Sequence, residues 1–259
     1  MLCMTVIAVH NMKGGVLKTT LSTHLASVLA LQGKSVLIVD TDSQSNVSLS
    51  FNINPDRLKY TLQDVFEGQA EAEDLLINVF KKDTGVIDIL PSNNSLMAFT
   101  ETSTNKSFNQ LKDALGHLER NYDYIIIDTA PSLSLMIGNV LTWANEIIIP
   151  FNPEQYSRRS LKNIIDNIKD FQDTINPTLK VKGVVPTIVE ARTSLHTDII
   201  ADTREYCDSE GLYMTETVIP KSIQYASAIG YDGKPLILSK SNNKLSRIYF
   251  DIWEELNNG

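Results

Sequence analysis

Residues 4–31 read Met-Thr-Val-Ile-Ala-Val-His-Asn-Met-Lys-Gly-Gly-Val-Leu-Lys-Thr-Thr-Leu-Ser-Thr-His-Leu-Ala-Ser-Val-Leu-Ala-Leu. The opening run, Met4–Val9, is apolar and β-branched, as a strand buried on both faces must be. The closing run, Lys18–Leu31, sets Leu21, Leu25, Val28 and Leu29 at helical spacing. A turn with two consecutive glycines and a lysine, Lys13, joins them. Strand, glycine turn and helix in this order open a βαβ unit, in which the next strand runs parallel to the first.

The same alternation continues outward. Ser35–Val39, Val86–Leu90 (stopped by Pro91), Tyr124–Ile127, Glu146–Ile149 (stopped by Pro150), Val181–Val189 and the short Thr217–Ile219 (stopped by Pro220) read as strands. Helical patterns fill the gaps, notably Ser107–Arg120, Arg158–Phe171 and Thr193–Glu210. Leu245, Ile248, Tyr249, Ile252, Trp253 and Leu256 mark a last helix that covers the core. There is no linker-like stretch and no internal repeat. The expectation is an α/β fold: one doubly wound, mostly parallel sheet flanked by helices, with residues 1–259 as a single domain. Such sheets bind ligands beyond the carboxyl ends of their strands.

The chain has 259 residues, 42% of them hydrophobic and 21% charged. That length buries roughly 70–75% of its unfolded surface, so no disulfide or metal staple is required. Cys3 and Cys207 form neither a disulfide framework nor a metal cluster, and a reduced cytosol is the expectation. No apolar run is long enough for a membrane span, and the first residues lack a basic leader. His10, His24, His117 and His196 show no ligand spacing and read as structural. A net charge of −8 argues against a whole-protein field that attracts nucleic acid. The sign is uneven, however. Between 221 and 250, Lys221, Lys234, Lys240, Lys244 and Arg247 face Asp232 alone, which makes a local basic surface.

Three segments carry chemistry. Asn11–Thr20 lies where a phosphate-binding loop belongs, between the first strand and the first helix. Gly14 and Gly15 let backbone N–H groups crowd around phosphate oxygens. Lys18 is placed to reach β- and γ-phosphates, Thr19 to give its hydroxyl to Mg²⁺, and Thr20 to open the helix whose dipole favours an anion. The common pattern GxxxxGK[ST] fails twice, at Met12 and at Leu17. The second strand runs into Asp40-Thr41-Asp42. The strand Ile125-Ile126-Ile127 ends in Asp128, a Walker B pattern whose carboxylate meets Mg²⁺ through water.

Lys13-Gly14-Gly15-Val16-x-Lys18-Thr19-Thr20 resembles the deviant phosphate loop KGGVGKT of the ParA/MinD family, with Leu17 in place of the usual glycine. The resemblance covers nearly the whole chain: Asp40–Gln44 is similar to the DxDPQ element, Ile125–Pro131 to IIIDxPP, Leu90–Asn93 to the "IPSN" strand end, and Gly233–Leu236 to "GKPI". Ala191–Thr193 and Val218–Ser222 resemble the late motifs of ParA- and Soj-type partition ATPases. It implies ATP and Mg²⁺ as cofactors, Asp42 orienting the attacking water, Asp40 supporting the Mg²⁺ shell with Thr19 and Asp128, and Pro220 bordering the adenine. It implies that Lys13 reaches across a homodimer to the partner's phosphates, so that Lys13, Lys18 and Asp42 are catalytic and Lys13–Thr20 cradle the nucleotide. Arg192 and Lys221, with Lys240, Lys244 and Arg247, would bind DNA without sequence preference, residues 181–259 carrying these late motifs. The implied protein is a slow ATPase of the cytoplasm, associated with the nucleoid and stimulated by a ParB-type centromere-binding partner. Leu17, at a position whose backbone is expected in the left-handed region, predicts weaker or slower nucleotide handling. Asp251, Glu254 and Glu255 in the terminal helix disfavour the membrane recruitment of a MinD-like protein. The alternatives are a nucleotide-binding regulator with hydrolysis impaired by Leu17, a MinD-like positioning ATPase, and a metabolic ligase sharing the loop.

Overall fold

The computed structural model describes residues 4–97, 107–131, 134–155, 157–190 and 193–259; Cys3 and Arg192 lie outside them. Seven strands make one sheet: β1 (Thr5–Val9), β2 (Ser35–Asp40), β3 (Ile77–Lys82), β4 (Gly85–Leu90), β5 (Tyr124–Asp128), β6 (Glu146–Phe151) and β7 (Lys180–Pro186). Their order across the sheet is β3-β4-β2-β5-β1-β6-β7. All pairings are parallel except the edge hairpin β3–β4. The helices are α1 (Lys18–Leu31), α2 (Asn46–Ser50), α3 (Leu62–Phe66), α4 (Gln110–Leu115), α5 (Leu135–Trp143), α6 (Ser157–Thr174), α7 (Ser194–Ser209), α8 (Gln224–Asp232), α9 (Leu236–Ser239) and α10 (Lys244–Asn258).

The unbroken apolar runs of the central strands serve two cores, because successive side chains point to opposite faces. Val6, Ala8, Leu37, Val39, Ile125 and Ile127 pack with residues of α3 to α7 on one face. Ile7, Val9, Val36, Ile38 and Ile126 pack with α1 and with α8 to α10 on the other. Helix α1 therefore lies against the sheet directly behind the loop that precedes it, and the loop's position is fixed at both ends.

The strand expectations need three corrections. Pro150 does not stop β6, which continues to Phe151 with Pro150 paired to Val185. The β1 ladder on the other side ends with Val9 opposite Ile148, and the Pro150 carbonyl accepts from the Asn11 side-chain amide instead. The missing N–H thus faces a place where no strand remains, so no ladder bond is lost. Strand β7 ends at Pro186, not Val189, and Ile188 adopts a positive φ of 57°.

Thr217–Ile219 is not a strand. The Glu255 carboxylate of α10 accepts from Glu216 N, Thr217 N and Thr217 Oγ1, so those donors serve a helix side chain and not a ladder. Isolated bridges at Met214 and Pro220 are what remains of sheet pairing there. The strand missed in the sequence is β3, Ile-Asn-Val-Phe-Lys-Lys. It is a half-exposed edge whose exposed Lys81 and Lys82 protect it from further pairing.

Candidate active site

Neighbouring strands β1, β5 and β2 deliver their carboxyl ends to one place. Asp128 is opposite Val9 on one side and Asp40 on the other. The loop between β1 and α1 closes over them. Gly15 has φ of +71°, where a Cβ is strained, and a Cβ at Gly14 would meet nothing within 4 Å. Leu17 sits in the left-handed region at φ 65°, ψ 31°, as the glycine normally found there would. Its side chain packs half-buried on the α1 core and also forms part of the cleft wall. For a non-glycine residue this backbone costs about 1–2 kcal/mol.

Lys18 is buried, and its Nζ donates to the carbonyls of Asn11 and Lys13, each at 3.0 Å. Among the described residues it makes no ion pair. Burial lowers its pKa, while the charges of Asp128 and Asp42 pull the other way. A desolvated ammonium held by carbonyls alone is prepared for an anion.

Thr19 Oγ1 donates to Asp128 Oδ2 at 2.6 Å, and Ser22 Oγ to Asp128 Oδ1 at 2.8 Å. Burial nevertheless lifts the Asp128 pKa to about 6. Asp40 is also raised well above the carboxylate range, by burial first and then by the Asp128 charge. Its oxygens accept from the backbone N–H groups of Asp42 (3.0 Å) and Val47 (3.1 Å), so Asp40 fixes the turn that carries Asp42. The Asp42 carbonyl is fixed again by Ser92 Oγ at 2.5 Å, and its carboxylate lines the cleft.

His10, just before the loop, is held down to about 3 by burial and the Lys18 charge, and is neutral. Thr129 Oγ1 gives its hydrogen to the Val9 carbonyl, so His10 Nδ1 is the donor in the 2.9 Å contact between them.

These groups border a cleft of about 500 Å³, with Gly14, Gly15 and Lys18–Thr20 on one wall and Asp42, Gln44 and Leu49 on the other. Two buried carboxylates resisting ionisation side by side, with a threonine hydroxyl on one of them, suit a hard divalent cation. No group of three or more His, Cys, Asp or Glu side chains among the described residues could hold a metal by itself. The remaining ligands must therefore come from water or from phosphate, which is how Mg²⁺ is usually bound.

Three residues expected at the nucleotide do not line this cleft. Lys13 Nζ pairs with Glu154 Oε2 at 2.5 Å. Val16 is buried, and its carbonyl accepts from Thr187 Oγ1. Pro220 bridges to Val189, beyond the end of β7. Of the basic candidates, Lys221 pairs with Glu190, while Lys240, Lys244 and Arg247 are exposed around the start of α10. Sequence reasoning missed Ser22 and Glu154, and it gave Asn11, the first residue of the predicted loop, no role of its own. Ser22 stands three residues after Thr19 on the same helix face, which was a usable sign. Glu154 is 141 residues from Lys13, and nothing local announces it.

The match to known proteins follows the same elements. Residues 4–181 match the family described as an AAA domain. The chain is 33% identical to the sporulation initiation inhibitor protein Soj of Bacillus subtilis, over 97% of each chain. It is 33% identical to a ParA family protein of Mycoplasma pneumoniae, over 98% of this chain and 97% of that one. The chain belongs to the ParA family of partitioning ATPases. A ParA-family chain is expected to fold as this one does, and McdA of Cyanothece, solved as an ATP complex, shares the fold at a TM-score of 0.84, with 21% identity over 98% and 97% of the two chains. A cobyrinic acid a,c-diamide synthase of Mycobacterium smegmatis, solved with ADP and magnesium, is 29% identical at a TM-score of 0.75, over 92% of this chain and 97% of that one. Among the described residues, no ParA helix here is long and apolar enough to cross a membrane.

Proposed function

We propose that this ParA-family chain is a DNA-partition ATPase that closes into a homodimer around two ATP–Mg²⁺ molecules, binds DNA without sequence preference as that dimer, and is released by slow hydrolysis stimulated by a ParB-type partner in the cytoplasm. The observation that carries the reading is Lys18, a buried cation with carbonyls but no carboxylate, next to the Thr19–Asp128 contact. Lys18 neutralises phosphate oxygens at the mouth of the glycine loop. Thr19 and Asp128 are the residues that would hold Mg²⁺, with Asp40 behind them. The ion, when bound, offsets the charge spread over the phosphate oxygens during phosphoryl transfer. Asp42, tied down by Asp40 and Ser92, orients a water at the opposite wall.

Lys13 supports the dimer. Within one subunit it is turned to Glu154 and does not line its own cleft, so its ammonium is free to serve a neighbour's phosphates once that pair is exchanged. The DNA reading is preferred to a membrane one because α10 carries exposed Asp251 and Glu254 beside its basic residues.

The test is the size of the Asp42→Ala protein with and without ATP–Mg²⁺. It should be a dimer only with the nucleotide. Adding Lys13→Ala should return it to a monomer that still binds ATP. A protein that stays monomeric under both conditions overturns the reading. A Lys13→Ala protein fully active as a monomer points to a ligase-type chemistry instead.

A further inference from the structure

Of the basic residues singled out for DNA and described in the structure, Lys221 alone carries a carboxylate. Its Nζ lies 2.7 Å from Glu190 Oε1. Lys240, Lys244 and Arg247 are exposed and in no ion pair among the described residues.

Glu190 is placed, not merely nearby. Its N–H donates to His196 Nδ1 of α7 at 3.1 Å. Its carbonyl accepts from both Thr193 N and Thr193 Oγ1. The next loop is locked to it by the backbone: Val189 N donates to the Ile219 carbonyl and Lys221 N to the Val189 carbonyl. The two loops thus hold carboxylate and ammonium face to face. The hydrogen bond between them lowers the Glu190 pKa and raises that of Lys221, so both stay charged. The side chains are 45% and 66% exposed, so water screens the pair and another anion can replace the carboxylate.

We propose that Glu190 is an electrostatic gate on the DNA surface. It neutralises Lys221 in the free subunit and yields the lysine to a DNA phosphate only when two copies present their basic surfaces together. The inference rests on the reading of Lys221 as a phosphate contact. Removing the Glu190 charge therefore strengthens DNA binding through Lys221 specifically and weakens the dependence on dimer formation. A carboxylate elsewhere on the surface has no such effect.

The experiment compares wild type, Glu190→Gln, Lys221→Ala and the double variant in binding to a random-sequence duplex, with and without ATP–Mg²⁺, across a salt series. Glu205→Gln, an exposed carboxylate of α7, is the charge control, and thermal midpoints verify folding. Without nucleotide, Glu190→Gln should bind about 3- to 10-fold more tightly than wild type at low salt, with a log–log salt slope steeper by about 0.9, the value for one added phosphate contact, and with ATP–Mg²⁺ the two should converge. The gain should vanish in the Lys221→Ala background, and Glu205→Gln should match wild type. Equal affinity of Glu190→Gln and wild type without nucleotide, a gain that survives loss of Lys221, or an equal gain from Glu205→Gln overturns the gate and leaves the DNA reading intact. If neither wild type nor Glu190→Gln binds DNA with ATP–Mg²⁺, the DNA reading fails and the gate with it.

Discussion

The two sides of the glycine loop handle charge in opposite ways. On the β5–β2 side, Asp40 and Asp128 are fully buried, and their carboxylates accept from the Thr19 and Ser22 hydroxyls of α1 and from the backbone N–H groups of Asp42 and Val47. On the β7 side, Lys13 with Glu154 and Lys221 with Glu190 are exposed pairs on loops. Burial makes a charge expensive and its partners permanent; exposure makes it cheap and its partners exchangeable. Fixed groups suit chemistry repeated identically at each turnover. Exchangeable ones suit surfaces that trade a partner in the same chain for one outside it.

The largest way to break this contrast is Asp128→Asn. Hydrolysis should fall at least about 100-fold, as when a preorganised electrostatic contact is removed. Stability should move the other way. Burial raises the Asp128 pKa to about 6, above that of an unfolded aspartate, so the fold favours the protonated carboxyl. That contribution is fully present below the unfolded value and lost as pH rises through about 6. The nucleotide-free wild type should therefore lose stability between about pH 4 and 6, by on the order of 2–3 kcal/mol. Asp128→Asn should not, and its thermal midpoint should exceed that of wild type at pH 8 and match it only near pH 4, about the unfolded value. A flat wild-type profile would remove the claim that these carboxylates are destabilising until a cation arrives. Chelating divalent ions should leave the ligand-free midpoints unchanged and abolish the extra stability that ATP–Mg²⁺ gives wild type alone.

A smaller effect sharpens the same point. Ser22→Ala removes one of the two hydroxyls on Asp128 and should cost about 1 kcal/mol of stability, since a buried charged acceptor loses a donor. Hydrolysis should fall about 5-fold, with the loss in kcat and not in KM, as expected of a group that acts by aiming Asp128. Unchanged kcat would mean that Thr19 suffices.

The smallest expected effect is at Leu17. Leu17→Gly relieves a left-handed leucine but forfeits its packing on the α1 core and loosens the unfolded chain. The two should nearly cancel, leaving stability within about 1 kcal/mol of wild type. Nucleotide affinity, measured by calorimetry, should rise, by less than about 10-fold. A weaker affinity would show that the leucine contributes a contact to the bound nucleotide.

Much of this was open to reading along the chain. A run such as Ile125-Ile126-Ile127-Asp128 declares a strand covered on both faces and a charge at its end, because only sheet burial suits so continuous an apolar stretch. Helix α1 was read to its exact limits, Lys18 to Leu31, since leucine spacing and the loop before it agree. Edges were harder. β3 mixes Ile77, Val79 and Phe80 with Lys81 and Lys82, and only its pairing with β4 distinguishes it from a loop. Thr217–Ile219 has the composition of a strand, but the Thr217 donors are taken by a glutamate 38 residues away.

The order of the residues alone determined the class of fold, the identity of the phosphate loop and the acidic strand ends that accompany it. Those depend on local periodicity and on residue types that few other structures tolerate. Tertiary structure decided which charges face one another: Thr19 and Ser22 on Asp128, Asp40 on the turn of Asp42, Lys13 on Glu154, Lys221 on Glu190. Such pairings join residues far apart in the chain, and their strength depends on the water excluded or admitted around them, a property that exists only once the sheet has closed.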